Sequence, residues 1–215
     1  MAKQPHINFP DGNGRSPLAV AIALGNETAT DILWRQNADH HLVDNTGNSM
    51  LHLACNGPSV NIARHMLEHG TGVNTRNAAG ETPLHLACAT KDGNIVREIC
   101  KKGAIITIPD GNLRTPLMTA IMSNNRRAAA VLLEWEFVAG TDLLDKTDAN
   151  GLKAIQYCGL FNDPETEARI KTVELALINA LLTTPQPRTV YFNSDERHAA
   201  ASNAAVDPLE TFPDQ

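Results

Sequence analysis

The stretch GETPLHLAC, Gly80 to Cys88, carries a motif that this chain repeats at a fixed spacing. Its central six residues, TPLHLA, begin at Thr82, and related strings begin at Ser16 (SPLAVA), Ser49 (SMLHLA) and Thr115 (TPLMTA). The four copies are 33 residues apart. Self-similarity at such a period is the signature of repeat architectures, in which each unit buries its apolar side against the next. The sequence therefore predicts a stack of similar units.

An acid or amide opens each unit five residues before the motif, and a glycine usually follows three residues later. The opening residues are Asp11, Asp44, Asn77 and Asp110, and a weaker fifth copy, DANGLKAIQYC, opens at Asp148. The fourth unit departs from the pattern because Leu113 replaces the glycine. Such residues favour a tight turn, and Ser or Thr followed by proline favours the capped start of a helix. A second helix is predicted from NIARHMLEHG (61–70) and NIVREICKKG (94–103), so each unit is predicted to be a turn and two helices.

This pattern resembles the ankyrin repeat, a 33-residue turn–helix–helix unit that carries T-P-L-H-x-A. The resemblance covers residues 11–182 and implies an all-α ankyrin-repeat solenoid with β-hairpin-like fingers. The implied units are four repeats (11–43, 44–76, 77–109 and 110–147) and a divergent C-terminal capping repeat (148–182) that ends in a long helix from Asp163-Pro164-Glu165. We expect residues 1–10 to be an N-terminal extension and the proline-rich, polar residues 183–215 to be a mostly disordered tail.

The string HLAC occurs twice, at His52–Cys55 and His85–Cys88, and two such pairs could supply the four ligands of a zinc ion. Equivalent residues of neighbouring repeats are about 8–10 Å apart on parallel helices, however, whereas zinc needs every ligand within about 2.3 Å of one point. We therefore predict neither a metal site nor a cofactor here. The resemblance implies instead that both histidines hydrogen-bond to backbone near the turns, while the cysteines fill small apolar sites.

The composition and motifs exclude several functional classes. A net charge of −6 gives no global attraction to nucleic acid or an anionic membrane, and no apolar run reaches the roughly 18 residues of a membrane span. The sequence lacks the phosphate-loop, zinc-protease, serine-hydrolase and kinase motifs, so we predict no enzyme. The opening MAKQPHINFPDGNG lacks the apolar core of a signal peptide and the four cysteines are scattered, which favours a cytoplasmic monomer.

The resemblance implies that a partner protein binds to the finger tips and the inner helices, which form a concave face. The residues assigned to this binding surface by their register are Asn13, Arg15, Asn45, Asn48, Asn56, Arg76, Glu81, Thr90, Lys91, Asn112, Arg114, Met122 and Ser123. Because arginine often anchors interfaces, Arg15, Arg76 and Arg114 are the strongest candidates. We expect their replacement by alanine to abolish binding without lowering the melting temperature.

Other interpretations remain open at the C-terminal end and on the outer helices. The fourth unit is five residues longer than the others, and its Trp135, Phe137 and Val138 are either an outer contact surface or, as we expect, buried against the terminal helix. The basic residues Arg97, Lys101, Lys102, Arg126 and Arg127 are interpreted as a solvated face. An alternative function is a bacterial effector that acts in the host cell cytoplasm and uses the tail as a secretion signal.

Overall fold

A computed structural model describes residues 7–69, 72–90 and 93–183 of the chain, with side chains through residue 180. The chain through Asn179 forms one compact unit, and the residues from Ala180 onward are assigned to a second. The described residues form ten α-helices and one short 3-10 helix, Leu143–Asp145, and none of them belongs to a β-strand. The predicted all-α fold class is confirmed.

The helices come in five pairs, as the repeat predicts. The pairs are α1 (Pro17–Ala23) and α2 (Glu27–Arg35), α3 (Met50–Asn56) and α4 (Val60–Glu68), α5 (Pro83–Ala89) and α6 (Asn94–Lys101), α7 (Pro116–Met122) and α8 (Arg126–Ala139), and α9 (Ala154–Leu160) and α10 (Pro164–Thr183). The first helices pack in series, α1 on α3, α3 on α5, α5 on α7 and α7 on α9, and the second helices α2, α4, α6 and α8 form a parallel series. The chain therefore stacks its units in sequence order.

Each finger is closed by the side chain of its opening acid or amide. In the fourth finger one carboxylate oxygen of Asp110 accepts the backbone N–H groups of Asn112 and Arg114, both at 2.8 Å. The same two bonds, to the second and fourth following residues, form in all the other fingers. A polar side chain that satisfies two turn amides fixes the turn geometry, which explains why only acids and amides open the units.

Single backbone hydrogen bonds join neighbouring fingers into a row. The donor and acceptor pairs are Asn45 N–H to Asn13 C=O (3.0 Å), Ala78 to Thr46 (2.9 Å), Gly111 to Ala79 (2.8 Å) and Ala149 to Asn112 (2.9 Å). The only β-bridge of the described residues joins Thr147 and Lys153. Within each finger the opening residue donates its backbone N–H to the carbonyl four residues further on, as from Asp11 to Arg15 at 2.9 Å and from Asp110 to Arg114 at 2.8 Å. The fingers are thus the β-hairpin-like turns that the resemblance implied, without a longer ladder among the described residues.

Each turn needs a residue in the left-handed backbone conformation three residues after its opening acid or amide. In the fourth turn this residue is a leucine instead of a glycine. Gly80 has φ +77°, and a Cβ atom on it would lie 2.7 Å from the backbone nitrogen of Gly111. Leu113, at the equivalent position, has φ +60° and is half exposed. Because a Cβ atom strains this conformation, Leu113 is a weak point of its turn.

We predict that Leu113→Gly stabilises the protein by about 0.5–1 kcal/mol, since relief of the left-handed strain outweighs the greater entropy of glycine in the unfolded chain. Urea denaturation measures the change. The converse substitution Gly80→Ala should destabilise the protein, and a destabilised Leu113→Gly variant would contradict this account of the turn.

The two HLAC histidines link each helix start to the next finger. Nδ1 of His52 accepts the backbone N–H of Ser49 at 3.2 Å, and Nε2 donates to the carbonyl of Glu81 at 3.0 Å. His85 makes the same bonds to Thr82 and Arg114, at 3.1 and 3.0 Å. The predicted hydrogen bonds to backbone are confirmed. Both imidazoles are fully buried, and this burial lowers the pKa of each.

We predict that acid destabilises the protein partly through these histidines. Because their folded-state pKa values lie below those of the unfolded chain, the unfolded chain binds more protons, and stability is lost as the pH falls below about 6.5. His85→Gln should weaken this dependence, since Gln156 already accepts the equivalent backbone N–H in the fifth repeat, from Lys153 at 2.7 Å. Urea denaturation at several pH values across this range measures the free energy of unfolding as a function of pH. If this dependence is the same in His85→Gln as in the wild type, His85 makes no contribution to it.

The extra residues of the fourth unit lengthen its second helix. Helix α8 has 14 residues where α2 and α4 have nine, and it ends at the left-handed Gly140. Trp135 packs partly buried against the core, but Phe137 and Val138 are 53% and 85% exposed. The expected burial is therefore wrong for these two residues, because the helix continues outward and the following 3-10 helix inserts Leu143 and Leu144 into the core instead.

Candidate protein-binding surface

The finger row and the row of first helices bring most of the predicted binding residues onto one surface. We call this surface the inner face and define it as the finger tips together with the C-terminal ends of α1, α3, α5, α7 and α9. The tips carry the exposed Asn13, Asn45 and Asn112, and the exposed Asn56 ends α3. The predicted Lys91 lies outside the described residues. Trp135 belongs to a second helix and is not part of the inner face.

The arginines of the fingers are already engaged within the chain. Arg15 donates from Nε and Nη2 to Asp11 at 3.1 and 2.9 Å, and Arg114 contacts Asp110 from the same atoms at 2.8 and 2.7 Å. Arg76 donates to the carbonyls of Gly80 and Pro109 at 2.9 and 3.0 Å. These bonds argue against our expectation that the three arginines can be removed without lowering the melting temperature, and we now predict a loss of stability.

The amides of the central fingers also form a network. Asn77 donates from Nδ2 to Oδ1 of Asn48 at 2.9 Å and to the carboxylate of Glu81 at 3.0 Å. Asn48 in turn donates to Asp44 at 3.1 Å. These amides offer a partner protein fewer free hydrogen-bond donors than their number suggests. Each of them would have to give up a hydrogen bond within the chain before it could bond to the partner protein.

The ends of the first helices differ in chemistry along the inner face. Thr90 is half-buried and donates its hydroxyl to the carbonyl of Ala87 at 2.8 Å. Met122 and Ser123 are also half-buried, and the sulfur of Met122 lies 3.8 Å from Nη1 of Arg114. The middle of the inner face is therefore small and polar, with one thioether at its edge.

Exposed apolar side chains that the sequence analysis missed lie at the end of α9. Leu160 is 67% exposed and Phe161 is 47% exposed. They occupy the positions of Met122 and Ser123 in the next unit. The phenyl ring of Phe161 stacks on Tyr157, with centroids 6.1 Å apart, and Tyr157 donates its hydroxyl to Asp148 at 2.8 Å. The 38-residue spacing of the fourth unit hid this register, although aligning AIQYCGLF (154–161) with PLMTAIMS (116–123) would have found it.

Hydrogen bonds stabilise several finger carboxylates in their charged form, and only some of these carboxylates are paired with an arginine. The backbone N–H of Arg15 lowers the pKa of Asp11, and the N–H of Leu152 does the same for Asp148. Burial opposes ionisation of Asp44, but hydrogen bonds from Thr46 and Asn48 outweigh it and lower its pKa. These carboxylates stay charged at neutral pH, and in the first and fourth fingers a guanidinium balances the charge.

The basic residues of the second helices are partly matched by acids. Arg97 contacts Glu134 at 2.8 Å, and Arg126 contacts Asp163 at 3.0 Å. The Arg97–Glu134 pair is about half exposed on both sides and contributes little to stability, whereas Asp163 is buried, so Arg126 pairs with a desolvated carboxylate. This arrangement is compatible with the interpretation of a solvated outer face.

The described residues form neither a metal-binding cluster nor a membrane-spanning helix. Within residues 7–69, 72–90 and 93–183, no three His, Cys, Asp or Glu side chains come together as a metal site would require. In the same part of the chain, every helix is too short or too polar to span a membrane.

The stacked turns and helix pairs define a helical-repeat solenoid. A family model of ankyrin repeats, described as three copies, matches residues 2–77 and 59–147, and the chain belongs to this family. Ankyrin repeats are generally protein–protein interaction modules. The search of curated proteins found no match. The fifth unit lies beyond the matched residues, yet Asp148 closes its finger as in the other units.

We predict that Arg114→Ala lowers the free energy of unfolding by about 1–3 kcal/mol, because it removes charged hydrogen bonds from the buried Asp110. Arg15→Ala should have a smaller effect, since Asp11 is exposed. Thermal and urea denaturation of the two variants compare them. Equal and negligible losses would mean that the guanidiniums do not brace the fingers.

Proposed function

We propose that this protein is a non-catalytic interaction module that binds a partner protein on its inner face, with Leu160 and Phe161 as the apolar anchors. The observation that carries the proposal is the exposure of these two side chains, 67% and 47%, on the face that ankyrin repeats use for recognition. Aromatic and large apolar side chains supply much of the binding energy in protein interfaces.

The internal bonds of the finger arginines support this assignment. An arginine held by its own Asp must break that pair before it can serve a partner, whereas Leu160 and Phe161 lose only water on binding. Met122, one repeat earlier, continues the apolar character at the same level of the stack. The partner is expected to present an apolar side chain here and uncharged polar groups toward the asparagine tips.

A second exposed apolar surface lies on the other side of the stack and provides a matched control. Phe137, Leu133, Val173 and Ala176 line a groove of about 390 Å³ between α8 and α10. Val138 beside it is 85% exposed. Phe137 and Val138, at 53% and 85% exposed, are as accessible as Leu160 and Phe161 but do not belong to the inner face.

The test is affinity capture from lysate with mass spectrometry, using the wild-type chain, the Leu160→Ser/Phe161→Ser variant and the Phe137→Ser/Val138→Ser control. We expect one protein to be captured by the wild type and the control and to bind the first variant about tenfold more weakly or less. Thermal denaturation should show both variants to be folded. The assignment fails if the captured protein is lost with the control and retained by the Leu160→Ser/Phe161→Ser variant.

The finer predictions about cellular context stay proposals. We propose a cytoplasmic location and a monomeric state, and an effector delivered into a host cell is the alternative role. The effector role depends on the tail from residue 183, whose residues 184–215 lie outside the described part of the chain. Deleting residues 184–215 separates the roles, because binding should survive in both but export would fail only for an effector.

A further inference from the structure

Three imidazoles contact one indole at the junction of the first two repeats, and a fourth imidazole packs on one of the three. The ring centroid of Trp34 lies 4.7 Å from that of His40, 5.0 Å from His65 and 4.9 Å from His69. His41 lies 4.2 Å from His40. We call these five residues the Trp34 cluster. Trp34, His40 and His41 belong to the first repeat, whereas His65 on α4 and His69 at the C-terminal cap of α4 belong to the second, so the cluster is part of the contact between the repeats.

The histidines of the cluster form two close pairs. The centroids of His65 and His69 are 4.3 Å apart, nearly the same distance as between His40 and His41. At neutral pH most imidazoles carry no charge, and such ring pairs pack without repulsion. If both members of a pair are protonated, two unit charges lie about 4 Å apart, a distance at which their repulsion exceeds the attraction of an imidazolium for an indole face.

His65 also lacks a hydrogen-bond acceptor for the second N–H group that its imidazolium form would carry. Its Nδ1 atom is buried and has no hydrogen-bond partner among the described residues. The imidazolium form carries a proton on both nitrogens, so protonation would bury an unsatisfied N–H unless the site opens to water. Burial and then the neighbouring His69 lower the pKa of His65, in agreement with this geometry.

The charged groups nearby offset only part of this effect. Asp31 and Glu68 favour the protonated form of His65, but burial and His69 oppose it more strongly. Arg64 is held by Glu98, at 2.7 Å, and Asp39 accepts the backbone N–H of His41 at 2.9 Å. The elements packed around the cluster carry the charged residues Glu27, Asp31 and Arg35 on α2, Asp39 in the following turn, Arg64 and Glu68 on α4, and Arg97, Glu98 and Lys101 on α6. A proton on one ring of a pair meets no like charge on the other ring, whereas a proton on both rings places two like charges about 4 Å apart.

We propose that the Trp34 cluster is a pH-responsive junction, in which protonation of both histidines of each pair loosens the first repeat from the second in mildly acidic solution. The loosening is local because the cluster lies on one junction, whereas the other repeats are joined by their own cores and fingers. In a repeat stack each unit is held mainly by its neighbours, so a weakened junction frees the terminal repeat first. The binding surface at Leu160 and Phe161 lies in the fifth repeat, and the proposal does not depend on it.

The test is hydrogen exchange by mass spectrometry on the full chain at about pH 7.5 and about pH 5.5, corrected for the intrinsic exchange rates and with EDTA to exclude metals. We expect the protection factors of α1 and α2 to fall about tenfold or more at the lower pH, while those of α7 and α8 fall much less. In a Trp135→Phe background, Trp34 is the only tryptophan, and its fluorescence should change over the same pH range.

Two variants identify the groups responsible. His65→Gln/His69→Gln should abolish the selective loss of protection, and His40→Gln/His41→Gln, which leaves α4 intact, should reduce it even if the first variant is unstable. His85→Gln is the matched control, because it removes a buried histidine outside the cluster and should leave the selective loss unchanged. The proposal is overturned if all repeats lose protection together, if none does, or if both cluster variants respond as the wild type does.

Discussion

The structure depends on one recurrent interaction, in which a carboxylate or amide oxygen accepts two backbone N–H groups of the turn that it opens. Asp11, Asp44, Asn77, Asp110 and Asp148 all make this pair of bonds. The closed turn sets where the following helix begins, and it presents a carbonyl to the histidine of the preceding repeat. Because each turn is bonded both to its own helix and to the neighbouring repeat, units that are evenly spaced in the sequence stack side by side in the structure.

The inner face shows how the same groups serve the fold and limit recognition. An arginine four residues after the opening acid pairs with it in the first and fourth fingers, so a residue type common in interfaces is used for internal bracing. Binding is left to side chains that the turns do not need. Leu160 and Phe161 are such residues, because they are exposed at the C-terminal end of α9, where the ring of Phe161 stacks on Tyr157.

The repeat could be predicted from the sequence because its period, caps and turn residues agree with one another. The backbone hydrogen bonds of His52 and His85 were implied by the resemblance to the ankyrin repeat. The engagement of Arg15, Arg76 and Arg114 could not be predicted, because a spacing of four residues across a turn does not say whether a long side chain folds back or extends. The exposure of Phe137 was also missed, since the extra residues of the fourth unit could lengthen a helix or form a loop, and only packing decides between them. The ring cluster at Trp34 joins residues from two repeats and has no periodic signal.

The fingers are connected by one backbone hydrogen bond per junction, without the continuous ladder of a sheet. A single bond constrains the separation of two turns but resists rotation weakly, whereas a ladder would hold several residues in register. Side-chain bonds add to this single bond at the middle junctions, where Asn77 contacts Asn48 and Arg76 contacts the carbonyl of Pro109. The rotation of one finger against the next is therefore set by side chains that differ from junction to junction, so a substitution at one junction would change the relative orientation of two units without altering the repeat itself.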